Sequence, residues 1–351
     1  MKSRVSIPNL VIAATVAFAL ASCAKHANHG DTPVLNINYP AAYVVNGTSN
    51  NLSVVRLSDN AATAEIALNG ATYPHHISIN SAKTKLAVAI TSTDLSGGHA
   101  GHGGATSGLK VLIIDATTGT IDKEIALAKL PHNAIFNSSG TELWLGQMDT
   151  VQSQVLVYKT SDWTLQNTIN VGKGLSEVTF SNDGSMAFAC NTMSKTVTMI
   201  DANSKGIMAT IPVGADPVGA WPAANGKMYV DNESGQSVSE ISVSGANVVS
   251  TFNLGFKPGY VAYSTHHNEI WVTDATNGGV VFFENINGVW TYAGNIPTGA
   301  DAHAVAFSSN GEKAYVTNQG ASTVTVIDVV NHAKLQTVIV GSKPNGIALK
   351  N

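Results

Sequence analysis

The side chains of this chain best suited to chemistry are histidines that begin three similar apolar segments. The segments read Pro74-His75-His76-Ile77-Ser78-Ile79, Pro131-His132-Asn133-Ala134-Ile135-Phe136 and Ala302-His303-Ala304-Val305-Ala306-Phe307. Aligned, they place His75, His132 and His303 at one shared position. Imidazole is the commonest metal ligand near neutral pH, and it suits copper, zinc, iron and nickel. These histidines are therefore predicted metal ligands, provided that the fold brings the segments together.

A second group of histidines lies in the glycine-rich stretch 94–104, which contains His99 and His102. Short Gly/His tracts favour metal binding by composition, and glycine gives the backbone the freedom to fold over a site. We expect His99 and His102 to form a flexible lid or to add ligands. For all five histidines, a polar rim that hydrogen-bonds water is the alternative interpretation.

A repeated motif of short β-branched and aromatic runs indicates how the segments are arranged. Its seven copies are Ala42-Tyr43-Val44-Val45-Asn46, Leu86-Ala87-Val88-Ala89, Leu143-Trp144-Leu145-Gly146-Gln147, Ala187-Phe188-Ala189-Cys190-Asn191, Met228-Tyr229-Val230-Asp231-Asn232, Ile270-Trp271-Val272-Thr273-Asp274 and Ala314-Tyr315-Val316-Thr317-Asn318. They recur about every 41–44 residues, with one interval of about 57. Such a period with several strands per unit predicts an all-β, seven-bladed β-propeller of four-stranded blades.

The two ends of the repeat region predict how the ring closes. The first copy lacks an inner strand before it, and Pro344 to Lys350 has the pattern of an inner strand without a blade of its own. We therefore expect the C-terminal strand to complete the N-terminal blade, which removes an open sheet edge.

This ring would place the shared position at the rim of the central channel. His75, His132 and His303 would then surround the channel mouth, and His76 would point away because strand side chains alternate. Nearby acids such as Asp231 and Asp301 could support a metal site, and Met148 and Met193 on the same face would favour copper. The aspartates that end third strands, Asp115, Asp201 and Asp328, are expected to cap turns, and His332 is expected at the opposite surface.

The segment from Ala314 to Asp328 resembles the YVTN-repeat family of seven-bladed propellers, and Tyr315-Val316-Thr317-Asn318 matches its namesake motif letter for letter. The pieces Pro217-Val218-Gly219 and Pro344-Asn345-Gly346 are also similar to it. The resemblance covers essentially the whole chain after its first residues and implies the propeller fold. It implies no single function, since such propellers serve as surface-layer, periplasmic binding and electron-transfer-associated proteins.

The first residues have the pattern of a bacterial lipoprotein signal. Lys2 and Arg4 precede an apolar run, and Leu20-Ala21-Ser22-Cys23 resembles the lipobox, after which the cysteine is acylated. We expect a signal peptide over 1–22, a lipidated Cys23 with a flexible tether over 23–40, and the propeller over 41–351. The protein would then be anchored in the cell envelope, at the outer membrane or the periplasmic face, by its lipid. An ordinary cleaved signal is the alternative.

Composition argues against several classes of function. The net charge is −4 and the only arginines are Arg4 and Arg56, so no nucleic-acid partner is expected. No Gly-rich phosphate loop opens a helix and no Cys-x-x-Cys-His occurs, so neither a nucleotide nor covalent haem is expected.

The sequence favours a membrane-anchored envelope propeller that binds copper, zinc or a small metal complex at its channel mouth. A metal-free scaffold for an envelope protein partner is the main alternative. A lactonase-like hydrolase is disfavoured, because the resemblance to seven-bladed lactonases implies arginine and glutamate in the channel, and this chain has only two arginines. Whether the protein is an enzyme stays open, with a binding protein preferred, and no catalytic residue is assigned.

Overall fold

The computed structural model describes residues 34–96 and 107–351, and within these ranges the regular structure consists of β-strands. In chain order the strands are β1 Ala41–Asn46, β2 Asn51–Arg56, β3 Ala61–Ala67, β4 Pro74–Ile79, β5 Lys85–Ile90, β6 Lys110–Asp115, β7 Ile121–Ala126, β8 Ala134–Phe136, β9 Glu142–Gln147, β10 Gln154–Lys159, β11 Leu165–Asn170, β12 Leu175–Phe180, β13 Met186–Asn191, β14 Thr196–Asp201, β15 Ile207–Pro212, β16 Pro217–Pro222, β17 Lys227–Asn232, β18 Ser237–Ser242, β19 Asn247–Asn253, β20 Pro258–Ser264, β21 Glu269–Asp274, β22 Gly279–Ile286, β23 Val289–Pro297, β24 Ala302–Phe307, β25 Lys313–Asn318, β26 Thr323–Asp328, β27 Ala333–Ile339 and β28 Pro344–Lys350.

These strands form seven four-stranded antiparallel sheets, the blades of a β-propeller, as predicted. Blade one has the order β28-β1-β2-β3, and blades two to seven take four consecutive strands each, from β4–β7 to β24–β27. Within the described ranges no helix is long and apolar enough to cross a membrane.

The burial of each strand follows from its place in the blade. Second and third strands are covered on both faces by neighbouring blades, so strands such as β13 and β14 are apolar and buried almost throughout. Outer strands such as β15 leave most side chains in solvent. The core therefore consists of apolar layers between blades, built mainly from second and third strands.

The C-terminal strand closes the ring, as the sequence predicts. β28 pairs antiparallel with β1, with Leu349 opposite Ala42 and Ile347 opposite Val44. The side-chain amide of Asn345 also donates to the carbonyl of Pro74 at 3.2 Å, which ties blade one to blade two.

Most inner strands share a backbone irregularity near their start. In β4 the pairing with β5 jumps from Pro74 to Ile77, and in β12 the pairing with β13 jumps from Leu175 to Val178. The strands β16, β20 and β24 show the same two-residue jump. A β-bulge of this kind frees two successive residues from the ladder and changes where their side chains point.

The turns behave as expected from their residue types. The Asp201 carboxylate accepts the backbone N–H groups of Asn203 and Ser204 at 3.0 and 2.7 Å, which identifies it as a turn cap. Gly184 has φ of 72° in a tight turn after an inner strand, where a side chain would be strained.

His332 has a role that the sequence does not reveal. Its ring stacks on Phe282 of the preceding blade at 4.0 Å, and its Nε2 lies 2.9 Å from an oxygen of Glu269. His332 is therefore not a free surface residue but joins blade seven to blade six.

Candidate metal centre

The bulge in β4 brings two adjacent histidines to the channel. Their rings lie edge to face with centroids 4.4 Å apart. The expectation that His76 points away from His75 is therefore wrong. It fails because side chains alternate between the two faces only in a regular ladder, and residues 75 and 76 are the two that the ladder skips.

His132 completes this group from the next blade. It lies just before β8, and its ring centroid is 4.4 Å from that of His75 and 5.1 Å from that of His76. His132 is fully buried and His75 is 2% exposed. One ring nitrogen from each of the three lies within 4.8 Å of the others. We call His75, His76 and His132 the histidine cluster.

A buried glutamate from blade four binds two members of the cluster. One oxygen of Glu177 lies 2.6 Å from His132 Nδ1 and 3.0 Å from His76 Nε2. An ionised carboxylate only accepts hydrogen bonds, so both of these ring nitrogens donate. In a neutral imidazole the lone pair then lies on the other ring nitrogen, which is Nε2 in His132 and Nδ1 in His76. A carboxylate behind a histidine is the usual support of a metal-binding imidazole.

Asn133 holds blades three and four in register at this point. Its amide nitrogen donates to the carbonyl of Val178 at 2.8 Å, and its amide oxygen accepts the N–H of Val178 at 3.0 Å. Asn133 is buried and directly follows His132, while Val178 directly follows Glu177. This pair of hydrogen bonds therefore sets the distance between the histidine and its glutamate.

His303 lies near the histidine cluster but further from its members than they lie from one another. Its centroid lies 5.9 Å from that of His76 and 6.3 Å from that of His75. Its Nδ1 donates to the carbonyl of Asn345 at 3.0 Å, because a carbonyl oxygen can only accept. His303 also lines a cavity of about 250 Å³, the mouth pocket, together with Asp301 and the Glu233–Lys257 ion pair.

The geometry is compatible with a metal ion after a small adjustment. Nitrogen ligands lie about 2.0–2.1 Å from zinc, so no two of them are more than about 4.2 Å apart. All pairs here lie within 4.8 Å, so the widest pair has to close by at most roughly 1.4 Å to reach the spacing of about 3.4 Å around a tetrahedral ion, through rotation of the rings. Three imidazoles with a further position open are a common zinc or copper environment.

Other predicted residues take different places. Met148 packs against the apolar cluster of Leu95, Leu109 and Leu130, and Met193 is 56% exposed, so these contacts give no support for copper over zinc. The Asp231 carboxylate accepts from the indole N–H of Trp221 at 2.8 Å. His99, His102 and Cys23 lie outside the described residues.

Glu177 and His76 are the site residues that the sequence prediction missed. Both occupy the second bulged position of their inner strands, directly after the shared position that held His75 and Ser176. An alignment of both bulged positions, rather than one, would have found them.

Comparisons with known proteins bear on the fold. No protein-family model matches the chain, and no curated protein sequence matches it. Among solved structures, the chain is similar to the periplasmic gluconolactonase PpgL of Pseudomonas aeruginosa, with 16% identity, a TM-score of 0.70 and coverage of 89% of this chain and 99% of that one. A putative 6-phosphogluconolactonase from Bacteroides uniformis gives 14% identity, a TM-score of 0.70 and the same coverages. Kuenenia stuttgartiensis hydrazine synthase is also similar, with 18% identity, a TM-score of 0.65 and coverage of 78% of this chain and 89% of that one. At these identities the similarity shows the seven-bladed propeller fold alone.

Proposed function

We propose that this protein binds a divalent transition metal ion, copper or zinc, in its channel through His75, His76 and His132. The single observation that carries the proposal is the convergence of three ring nitrogens within 4.8 Å of one another in a buried place. His303 stands close enough to join or exchange with this set.

The charge and hydrogen bonding around the cluster support a cation. Glu177 is 2% exposed and makes hydrogen bonds to two of the three rings, so a negative charge lies beside the proposed ion. Opposite charges a few ångströms apart attract strongly where water is excluded. Because the carboxylate takes the ring N–H groups, it leaves lone pairs for the metal.

Attachment to the cell envelope is part of the proposal. It rests on the Leu20-Ala21-Ser22-Cys23 segment, which has the residues of a lipoprotein cleavage site. A lipid anchor would hold the propeller at a membrane surface, where it could bind metal ions from the periplasm.

Hydrolysis of a lactone receives less support, although two of the structural neighbours are named as lactonases. Arg56 lies on an outer part of blade one, where its Nε donates to Asp59 at 3.0 Å. Arg4, the other arginine of the chain, lies outside the described residues. A positively charged arginine in the channel is therefore not among the described contacts of the site.

Metal analysis of untagged, full-length protein tests the proposal. After mild chelation, wild type should keep close to one equivalent of copper or zinc, and the triple variant His75→Ala/His76→Ala/His132→Ala should keep none. The matched control is His266→Ala/His267→Ala, which removes two histidines from an inner hairpin turn and should behave as wild type.

The fold of each variant is checked by far-ultraviolet circular dichroism and thermal melting. Added metal should raise the melting temperature of wild type and of the control, since a ligand that binds only the native state stabilises it. The triple variant should show no such rise. Equal, sub-stoichiometric metal in all three proteins would refute metal binding and favour the metal-free scaffold.

A further inference from the structure

Beside the histidine cluster lies a space on the propeller axis, which we call the axial cavity. Its volume is about 130 Å³, roughly that of four water molecules at about 30 Å³ each. His76 and Glu177 form part of its wall, so it adjoins the histidine cluster. All seven blades contribute lining residues, which makes it the centre of the ring and separate from the mouth pocket.

One wall of the axial cavity is a pair of aromatic rings. Trp221 and Tyr260 have centroids 3.8 Å apart and ring planes inclined by 32°. The Trp221 indole is fixed by its hydrogen bond to Asp231, which also accepts the N–H of Gly219 at 3.1 Å. A Cβ atom at position 219 would lie 2.3 Å from the indole, so glycine is required for this ring orientation.

Two hydroxyl groups, on Ser78 and Tyr260, add to the polar lining that His76 and Glu177 provide. The Ser78 hydroxyl oxygen is buried and makes no hydrogen bond to any residue in the described ranges. Such a group lacks the compensation that buried polar atoms normally have, and this suggests a bound partner. Tyr260 also lines the cavity, and burial raises the pKa of its phenol, so that its hydroxyl stays protonated at neutral pH and can donate.

Much of the remaining lining is apolar and includes Ile77, Ile135 and Ile347. A charged molecule would lose its hydration against these side chains, and an anion would also face the Glu177 carboxylate. A flat, uncharged molecule can instead pack against the Trp221 ring.

We propose that the axial cavity binds a small, planar, uncharged molecule with a nitrogen or oxygen donor atom, which occupies the open coordination position of the metal. The proposal rests on the proposed metal function. The aromatic pair would hold the face of the molecule, the Ser78 and Tyr260 hydroxyls its polar edge, and the metal its donor atom. The volume limits the ligand to roughly five or six non-hydrogen atoms.

Pyrazole is a suitable probe because it is planar, has five ring atoms and is uncharged at neutral pH. It is titrated into Cu²⁺-loaded, full-length protein while the visible absorption and the electron paramagnetic resonance spectrum of copper are followed. We expect saturable changes in both spectra, with the metal content unchanged after the titration.

Two variants separate the axial cavity from other routes to the metal. Ala304→Leu reduces the cavity volume from the blade-seven side while all three histidines of the cluster are kept, and should weaken pyrazole binding at least tenfold while copper is retained. Ser78→Ala removes one hydroxyl with little change of shape and should weaken binding about three- to tenfold. Ala62→Leu, the same change as the first on the exposed face of β3, is the control and should bind pyrazole as wild type.

An unchanged pyrazole affinity in Ala304→Leu, or no spectral response of copper-loaded wild type, would overturn the proposal. Calorimetric titration of pyrazole into metal-free protein shows whether the cavity proposal fails by itself or only because the protein binds no metal. If wild type holds no copper but still binds pyrazole, and Ala304→Leu does not, the cavity is a ligand site without a metal. If metal-free wild type binds none and copper is also absent, both proposals are refuted.

Discussion

Replacement of Asn133 by alanine should destabilise the propeller strongly, because it removes two buried hydrogen bonds between blades three and four. The Asn133 side chain makes two hydrogen bonds to Val178, one to its N–H and one to its carbonyl. These join the inner strands of blades three and four where water has little access, since Asn133 is 6% exposed and Val178 is fully buried. Alanine cannot replace either bond.

The size of the effect follows from the two backbone groups left unpaired. A buried donor or acceptor without a partner costs about 1–3 kcal/mol, so two cost about 2–6 kcal/mol. The entropy of unfolding is about 2.1 cal/mol/K per residue, which for Leu35–Asn351 gives about 0.7 kcal/mol/K. The melting temperature should therefore fall by roughly 3–9 °C.

Differential scanning calorimetry measures this change directly. Asn167→Ala, on the exposed outer strand β11, is the matched control and should shift the melting temperature by less than about 1 °C. Asn133→Ala should also bind metal more weakly than wild type, because Asn133 sets the separation of His132 and Glu177. A shift no larger than that of the control would show that the two hydrogen bonds do not hold the blades together.

Three further predictions concern the site, the ring closure and pH. Glu177→Gln keeps the shape of the side chain but removes its charge, and should weaken metal binding about 10–100-fold in a chelator competition assay, whereas an unchanged Kd would exclude a supporting role. Deletion of Pro344–Asn351 exposes the edge of β1 and should lower the melting temperature by more than about 10 °C or cause association visible by size-exclusion chromatography, while removal of Asn351 alone should do neither. Burial alone would raise the pKa of Asp115, but the Lys85 ammonium and two backbone N–H groups outweigh it and lower this pKa to about 2. The stabilisation is thus present above about pH 4 and is lost as the pH falls towards 2, so wild type and Asp115→Asn should differ in urea stability at pH 7 and converge by pH 2.

The repeat pattern predicted the fold because strand-forming runs and turns are local properties. The period of the Tyr315-Val316-Thr317-Asn318 motif is a count along the chain, and four strands per period leave few architectures. Ring closure was predictable for the same reason, since an inner strand such as β28 without a blade must pair with the open edge.

The metal centre was predicted only in part because its geometry depends on an irregular backbone. The bulged pairs follow no common sequence pattern, as His75-His76, Ser176-Glu177 and His303-Ala304 show. Regular alternation, applied to β4, sends His76 to the wrong side. Hydrogen bonds at the bulged residues, such as that from the Gly219 N–H to Asp231, connect residues on different strands and leave no local pattern.

The bulges also explain how this fold can carry a binding site with little loss of stability. Apolar layers from the second and third strands hold the blades together, whereas His76 and Glu177 line the axial cavity. The bulged residues His76, Glu177 and Tyr260 all line this cavity on the axis, where residues far apart in sequence meet. It follows that changes at His75 and His76 should alter metal binding more than stability, whereas Asn133, which pairs with backbone, should alter both. A stability loss in His76→Ala as large as that in Asn133→Ala would contradict this division.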